Sequence, residues 1–417
     1  MAETFETLEK RERAILVAVE FNDETDVECS LNELEELAET AGADTVGRLI
    51  QKREAVHPGT YIGKGKIEEL QELIYRLRAD VIVCDDELSP AQLGNLQEEL
   101  QVKVIDRTVM ILDIFAAHAR TSEGKLQVEL AQLRYRASRL VGLRQSLSRL
   151  GGGIGTRGPG EKKLEMDRRL IKERISILNR QLKEVVKNRE TMRRQRTRSA
   201  APTVAIVGYT NAGKSTLLNT LTESNVLEED KLFATLDPTT RGLTLADGQK
   251  ILFTDTVGFI SKLPHTLIQA FRSTLEEAKY ADMILHVVDA SNPDYDMQME
   301  VVYDTLRELG VGDKPVLTAF NKMDLVKPEE KEDWKDLKSD VVLQISAKKK
   351  IGLEALLEQI EKLLKAGFVK IEKVFPYEEA GKLQLIRQYG KLETEEYRED
   401  GIYILASVPG EIEGRLR

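Results

Sequence analysis

Two cysteines, Cys29 and Cys84, in 417 residues are too few for a disulfide framework and stand at no metal-ligand spacing. The four histidines, His57, His118, His265 and His286, are scattered along the chain, which argues against a zinc site. No apolar run approaches the roughly 18–20 residues of a membrane span, and no charged-then-apolar leader opens the chain. These absences predict a soluble, cytoplasmic protein with no membrane span. The length suggests about three domains at the usual ~100–200 residues each.

What the chain does have is an uneven distribution of charge. The net charge of −10 conceals a stretch from Leu126 to Arg198 with 20 Lys and Arg against 7 Asp and Glu, a net of +13, which leaves −23 for the remainder. A basic element in an otherwise acidic protein points to a polyanion, most simply nucleic acid. Within it Leu126, Leu130, Leu133, Ala137, Leu140 and Leu147 fall at alternating four- and three-residue steps, with Arg144 in one seam position. Ile171, Ile175, Leu178, Leu182, Val185 and Met192 repeat the pattern, with Arg189 in a seam slot. The spacing predicts two helices paired along an apolar seam.

Between those helices, positions 151–160 hold six glycines, more than a helix hairpin needs for a turn. An antiparallel arm with a glycine-rich tip is expected, and Arg149, Gly151, Gly152, Gly153, Arg157, Lys162 and Lys163 are its candidate RNA contacts. Glycines let the tip enter a narrow, phosphate-lined space while the flanking cations meet the backbone. Structured RNA fits better than duplex DNA, because RNA is read largely by shape and backbone contacts.

A phosphate cradle follows. Gly208, Tyr209, Thr210, Asn211, Ala212, Gly213, Lys214 and Ser215 fill every fixed position of G-x-x-x-x-G-K-[ST], after the apolar run 204–207 and before helix-like Thr216 to Asn219. Strand, glycine loop and helix start let backbone N–H groups turn inward on a β-phosphate. Lys214 supplies a point charge to the β and γ oxygens, and the Ser215 hydroxyl suits Mg2+. A second buried strand, 251–254, ends in Asp255, Thr256, Val257 and Gly258, a D-x-x-G in which Asp255 holds the metal through water and the Gly258 amide senses the γ-phosphate.

Two further strands select the base. Positions 316–320 run into Asn321, Lys322, Met323 and Asp324, and 341–345 run into Ser346, Ala347 and Lys348. A buried Asp324 carboxylate accepts N1–H and N2–H2 of guanine, Asn321 braces the loop, the Lys322 stem covers the ring and the Ala347 amide meets O6. A wrong base that leaves this carboxylate unpaired loses roughly 10^4 to 10^5 in selectivity. Four motifs in this order, each at a strand end, predict a guanine-nucleotide hydrolase.

The metal ligand that reports the γ-phosphate falls between Leu232 and Arg241, which offer three threonines. Thr235, within Phe233, Ala234, Thr235, Leu236 and Asp237, is preferred as nucleotide contact, with Thr239 or Thr240 as alternative. Lys214, Thr235 and Gly258 are then the candidate catalytic groups, and Ser215 and Thr235 the metal ligands, with Asp255 through water.

Upstream, strand-like 14–19, helix-like 31–41 and 67–77, strand-like 81–85, helix-like 90–100 and strand-like 102–106 predict a small α/β domain with a parallel sheet. Its basic loop Tyr61 to Lys66 lacks phosphate-loop spacing. Beyond Ser346, a helix at 352–366 closes the nucleotide domain, and strand-like 369–371, helical 381–386 and strand-like 401–408 predict a compact appendage.

Tyr61 to Leu70, Gly124 to Leu133, Ser148 to Gly160, Leu232 to Pro238 and Asp255 to Phe259 resemble the HflX family of ribosome-associated GTPases, over nearly the whole chain. The resemblance implies that an N-terminal α/β domain (1–122) and a helical-hairpin arm (123–200) dock on the large ribosomal subunit. It implies a tip near the peptidyl-transferase centre, with a P-loop GTPase domain (201–366) and a small α+β C-terminal domain (367–417) following. It implies GTP-dependent splitting of stalled 70S ribosomes under stress, and it supports Thr235 as the switch threonine. Lys162 departs from the family's usual threonine, and Lys348, Lys349 and Lys350 make their loop more basic than it requires.

Many GTPases orient the attacking water with a glutamine after the D-x-x-G glycine; Phe259 stands there, which predicts slow intrinsic hydrolysis. Asn211 matches the asparagine with which some potassium-activated relatives hold a monovalent cation, so K+ is an expected accessory to Mg2+. The competing class is an RNA-remodelling or large-subunit assembly factor driven by GTP or by ATP bound in the N-terminal domain. A monomer is expected.

Overall fold

Aliphatic strands separated by amphipathic helices build a parallel sheet at the start of the chain. The computed structural model describes residues 11–21, 27–150, 159–197, 201–222, 232–245, 250–264, 267, 277–312, 314–327, 334–366 and 368–416. Strands β1 (Glu12–Glu20), β2 (Ala43–Lys52), β3 (Val81–Cys84) and β4 (Lys103–Asp106) lie in the order β2-β1-β3-β4, all parallel. Helices α1 (Val27–Thr40), α2 (Lys64–Leu77) and α3 (Pro90–Leu100) connect them, and α4 (Arg107–His118) follows β4. Ser89 starts α3 with a reciprocal capping box to Gln92 and Pro90 in the first turn. Ile15, Val17, Ile82 and Cys84 form the core with Ile67, Leu70 and Leu96.

Two long helices come next, α5 (Ser122–Leu150) and α6 (Pro159–Thr197). Val128, Leu130 and Ala131 of α5 and Leu178 of α6 are buried, and Arg174 pairs with Glu129 at 2.7 Å. Most of the expected tip, with Gly151, Gly152, Gly153 and Arg157, lies outside the described residues; Arg149 is in α5, and Lys162 and Lys163 are in α6. One compact unit gathers the described residues of Met1–Glu184, Glu229–Asp237 and Ile260–Arg272.

The second unit gathers the described residues of Val185–Glu228, Pro238–Phe259 and Ser273–Arg417. Its six-stranded sheet has the order β10-β9-β8-β5-β7-β6, from β5 (Thr203–Gly208), β6 (Thr239–Thr244), β7 (Lys250–Asp255), β8 (Met283–Asp289), β9 (Val316–Asn321) and β10 (Val341–Gln344). Only β6 runs antiparallel to its neighbour within this sheet. Val204, Ile206, Phe253, Leu285 and Leu317 pack with Leu217 of α7 (Lys214–Thr222) and with Leu356 and Ile360 of α9 (Leu353–Ala366); α8 (Tyr295–Glu308) lies between in sequence.

The chain ends in β11 (Phe368–Phe375), α10 (Ala380–Tyr389), β12 (Lys391–Arg398), β13 (Gly401–Pro409) and α11 (Gly410–Leu416). The strands form an antiparallel sheet, β11-β13-β12, over a core of Phe375, Leu383, Ile386, Ile404 and Val408. No helix among the described residues is long and apolar enough to cross a membrane.

Candidate nucleotide site

Parallel strands deliver their carboxyl ends to one edge of the second unit's sheet, and that edge carries the motif residues. The loop from Gly208 to Gly213 joins β5 to α7, whose first residues are Lys214 and Ser215. Lys214 is buried, and its ammonium donates to the Tyr209 carbonyl at 2.6 Å. Burial pushes its pKa down to about 8, against the opposing pull of Asp255. A phosphate beside it would supply the counter-charge that the fold itself leaves short. Asn211 adopts φ +59° within the loop. The Thr210 hydroxyl is buried with no partner among the described residues.

Asp255, at the end of β7 and fully buried, accepts from the Ser215 hydroxyl at 2.7 Å. P-loop GTPases generally use Mg2+, and a hydroxyl beside a carboxylate is the pair of hard oxygen donors that ion takes. Thr256 turns inward and donates to the Ile206 carbonyl at 2.7 Å, and Val257 is buried. A Cβ on Gly258 would stand 3.1 Å from Lys214 Nζ, which places this glycine beside the phosphate-loop lysine. Phe259 is buried, and its backbone is bonded to the loop in both directions: Thr210 N–H to its carbonyl at 2.8 Å, and its own N–H to Gly208 at 3.2 Å.

Asn321 ties the two halves of the site together. Its Nδ2 donates to the Ala212 carbonyl at 2.9 Å, and its Oδ1 accepts from the Ala347 N–H at 2.9 Å. The Ala347 amide, expected to face guanine O6, is thus engaged by Asn321. Asp324 is exposed, not buried as expected, with Oδ1 accepting from Ser346 Oγ at 2.6 Å, a bond that holds the carboxyl below its ordinary range. Base discrimination by Asp324 would therefore require the base to cover the carboxylate on binding. Met323 donates its N–H to Ile345 at 3.2 Å, and Lys348 is exposed.

Lys322, at φ +62°, pairs with Asp289 at 2.7 Å, a partner that sequence reasoning missed although it ends the apolar strand β8. Thr239 and Thr240 are strand residues, in register with Asp255 and Thr254, and the Thr240 and Thr254 hydroxyls are 3.0 Å apart. Thr235, with Phe233, Ala234, Leu236 and Asp237, lies outside regular structure and belongs to the first unit; Phe233 and Leu236 are buried there. No cluster of metal-ligating His, Cys, Asp and Glu occurs among the described residues.

A glycine loop between a buried strand and a helix, with an N-K-x-D loop on the same sheet edge, makes the chain a P-loop GTPase. It belongs to the GTPase HflX family: it is 62% identical over 412 residues to the GTPase HflX of Lacrimispora saccharolytica, covering 99% of this chain and 97% of that one. To the GTPase HflX of Escherichia coli (strain K12) it is 41% identical over 398 residues, 95% and 93% of the two chains. Family models match in chain order: GTP-binding GTPase N-terminal over 28–116, GTP-binding GTPase middle region over 118–196, and 50S ribosome-binding GTPase over 203–322. Among solved structures, a GTP-binding protein from the archaeon Sulfolobus solfataricus in complex with GDP is 26% identical with a TM-score of 0.43, covering 85% of this chain and 99% of that one.

Proposed function

We propose that this chain is a GTP-driven factor of the large ribosomal subunit that splits or rescues stalled 70S ribosomes under stress. The observation that carries the reading is the match of 203–322 to the 50S ribosome-binding GTPase family, in a chain whose basic charge is gathered on α5, α6 and their connection. The arm and the N-terminal region dock on ribosomal RNA, and the glycine-rich tip enters a narrow, phosphate-lined space. The division into 1–122, 123–200, 201–366 and 367–417 belongs to this reading, as do a monomeric state and a cytoplasmic location.

Phosphoryl transfer to water needs mainly positioning and charge neutralisation. Lys214 meets the β and γ oxygens, the Gly258 amide and Thr235 sense the γ-phosphate, and Asn321, Lys322, Asp324 and Ala347 hold guanine. Mg2+ on Ser215 and Thr235, with Asp255 through water, would supply charge neutralisation between the phosphates. Phe259 offers no side-chain hydrogen bond to water, so intrinsic turnover is slow and rises when RNA completes the site. Potassium beside Asn211 is an accessory cation, and equal rates in sodium and potassium would remove it. ATP turnover that survives Lys214→Ala would mark a second nucleotide site in 1–122.

The test is GTP turnover with and without purified large subunits, comparing the intact chain with one shortened at 151–160. Stimulation in both, with activity on stalled ribosomes lost only in the shortened chain, supports the reading. No stimulation in either overturns it.

A further inference from the structure

The residues two before and two after Thr235 are each held by contacts inside the first unit. Phe233, at φ +56° and buried, sets its ring edge-on to Phe115 of α4 with centroids 4.7 Å apart. Asp237 Oδ2 accepts from the backbone N–H groups of Arg120 at 3.0 Å and Thr121 at 2.9 Å, and Oδ1 accepts from the Thr121 hydroxyl. That hydroxyl oxygen accepts in turn from the Gly124 N–H at 2.9 Å. Asp237 therefore completes the N-terminal cap of α5, the first helix of the arm, where the helix dipole favours negative charge.

An aspartate that merely shaped its own turn would bond residues one or two positions on. This one reaches 116 positions back. Gly124 admits it, because a Cβ there would stand 2.6 Å from Asp237 Oδ1.

We propose that Asp237 is a positioning residue that ties Thr235 to the first turn of the arm, so that nucleotide state and arm engagement are coupled. The proposal rests on the reading of Thr235 as the γ-phosphate sensor. Two residues span at most about 7 Å of chain, so a larger displacement of Thr235 must load the Asp237 cap. Coupling of this kind is reciprocal: RNA that shifts α5 moves Thr235, and loss of the γ-phosphate loosens the first turn of α5. It gives bound RNA a route to the hydrolysis step in a chain where Phe259 provides no water-orienting side chain.

The experiment is amide hydrogen exchange over 121–127 in the full chain, with GDP and with a non-hydrolysable GTP analogue, in wild type and in Gly124→Ala. Alanine is the better helix former, which offsets part of the cap that this variant displaces. Thr121→Val, which removes the hydroxyl that bridges the cap, is the second variant. Wild-type exchange should differ between the nucleotides by about tenfold, and the difference should shrink to within about twofold in both variants. Equal exchange with both nucleotides in wild type, or a difference that persists in both variants, overturns the proposal. Thr235→Ala separates the two readings through nucleotide affinity. If it leaves the ratio of analogue to GDP affinity at its wild-type value, the sensing role of Thr235 falls and this proposal with it. A changed ratio combined with a persisting difference in Gly124→Ala and Thr121→Val overturns the Asp237 tie alone.

Discussion

Arg107, 1% exposed at the start of α4, is the hub of a buried charge network in the first unit. Its guanidinium pairs with Glu33 and with Asp85 at 3.0 Å, and donates to the carbonyls of Ser30 at 3.0 Å and Ser261 at 3.1 Å. Lys262 joins from three residues beyond Phe259, pairing with Asp85 and, at 3.1 Å, with Asp86. Burial raises the Asp85 pKa, but Arg107 and Lys262 outweigh it and hold the carboxyl below its ordinary value. Arg107→Met should destabilise the unit by about 3–5 kcal/mol, because Glu33 and the buried Asp85 both lose the guanidinium and Asp85 is left with the half-exposed Lys262. Lys262→Met, with a half-exposed side chain, should cost about 1 kcal/mol or less. Urea unfolding of the two variants checks the ranking, and equal costs would contradict it.

A second buried group sets a pH dependence. Burial pushes the His286 imidazole down; its Nδ1 stands 3.8 Å from Asp336 Oδ2, too far for a hydrogen bond, so their attraction is electrostatic. Because the folded pKa is depressed, the unfolded chain takes up this proton first, and stability falls as pH drops below about 6.5. Thermal midpoints between pH 8 and 5 should decline, and His286→Gln should flatten that decline. Neither the Arg107 network nor the His286–Asp336 pair was legible, since each joins residues far apart along the chain.

At the level of elements, the strands that end in nucleotide motifs were legible, because an apolar run and a motif reinforce each other. Strand β2 was not: Asp44, Gly47, Arg48, Gln51 and Lys52 dilute its pattern, and its pairing with β1 is irregular near Ala14. β12 was masked by Glu393, Glu395 and Glu396, the charges that protect an edge strand. α4 buries Met110, Ile111, Leu112, Ile114 and Phe115 on several faces, so it lacks the stripe by which an amphipathic helix is read. The two long helices were legible because their apolar positions are periodic, and Leu178 among those positions is fully buried while Leu170 is 58% exposed. Leu178→Ala should cost about 2–4 kcal/mol and loosen exchange protection along α6, whereas Leu170→Ala should leave both nearly unchanged. Similar effects from the two would mean that the seam does not hold the helices.

For the molecule as a whole, chain order gives no sign that the described residues of Glu229–Asp237 and Ile260–Arg272 gather with the first unit. Their ties run through Asp237 and Lys262 to partners 116 to 177 positions upstream, which no local pattern reports. Charge, by contrast, is legible at this scale: +13 between Leu126 and Arg198 against −23 elsewhere. An acidic body is repelled by a polyanion that the basic segment attracts, so the field favours encounters in which the arm leads. Such binding releases counterions, and the slope of log K against log salt measures how many phosphates are neutralised. If Lys162 and Lys163 both meet RNA phosphates, replacing both with Gln should make the slope for large-subunit binding shallower by about 1.4–1.8, at roughly 0.7–0.9 for each cation lost. The affinity for GTP should stay the same, because neither lysine lies in a nucleotide motif. Binding measured between roughly 50 and 200 mM salt covers the range where such slopes are read. An unchanged slope would take these two lysines off the RNA and leave the remaining cations of the segment to account for its charge.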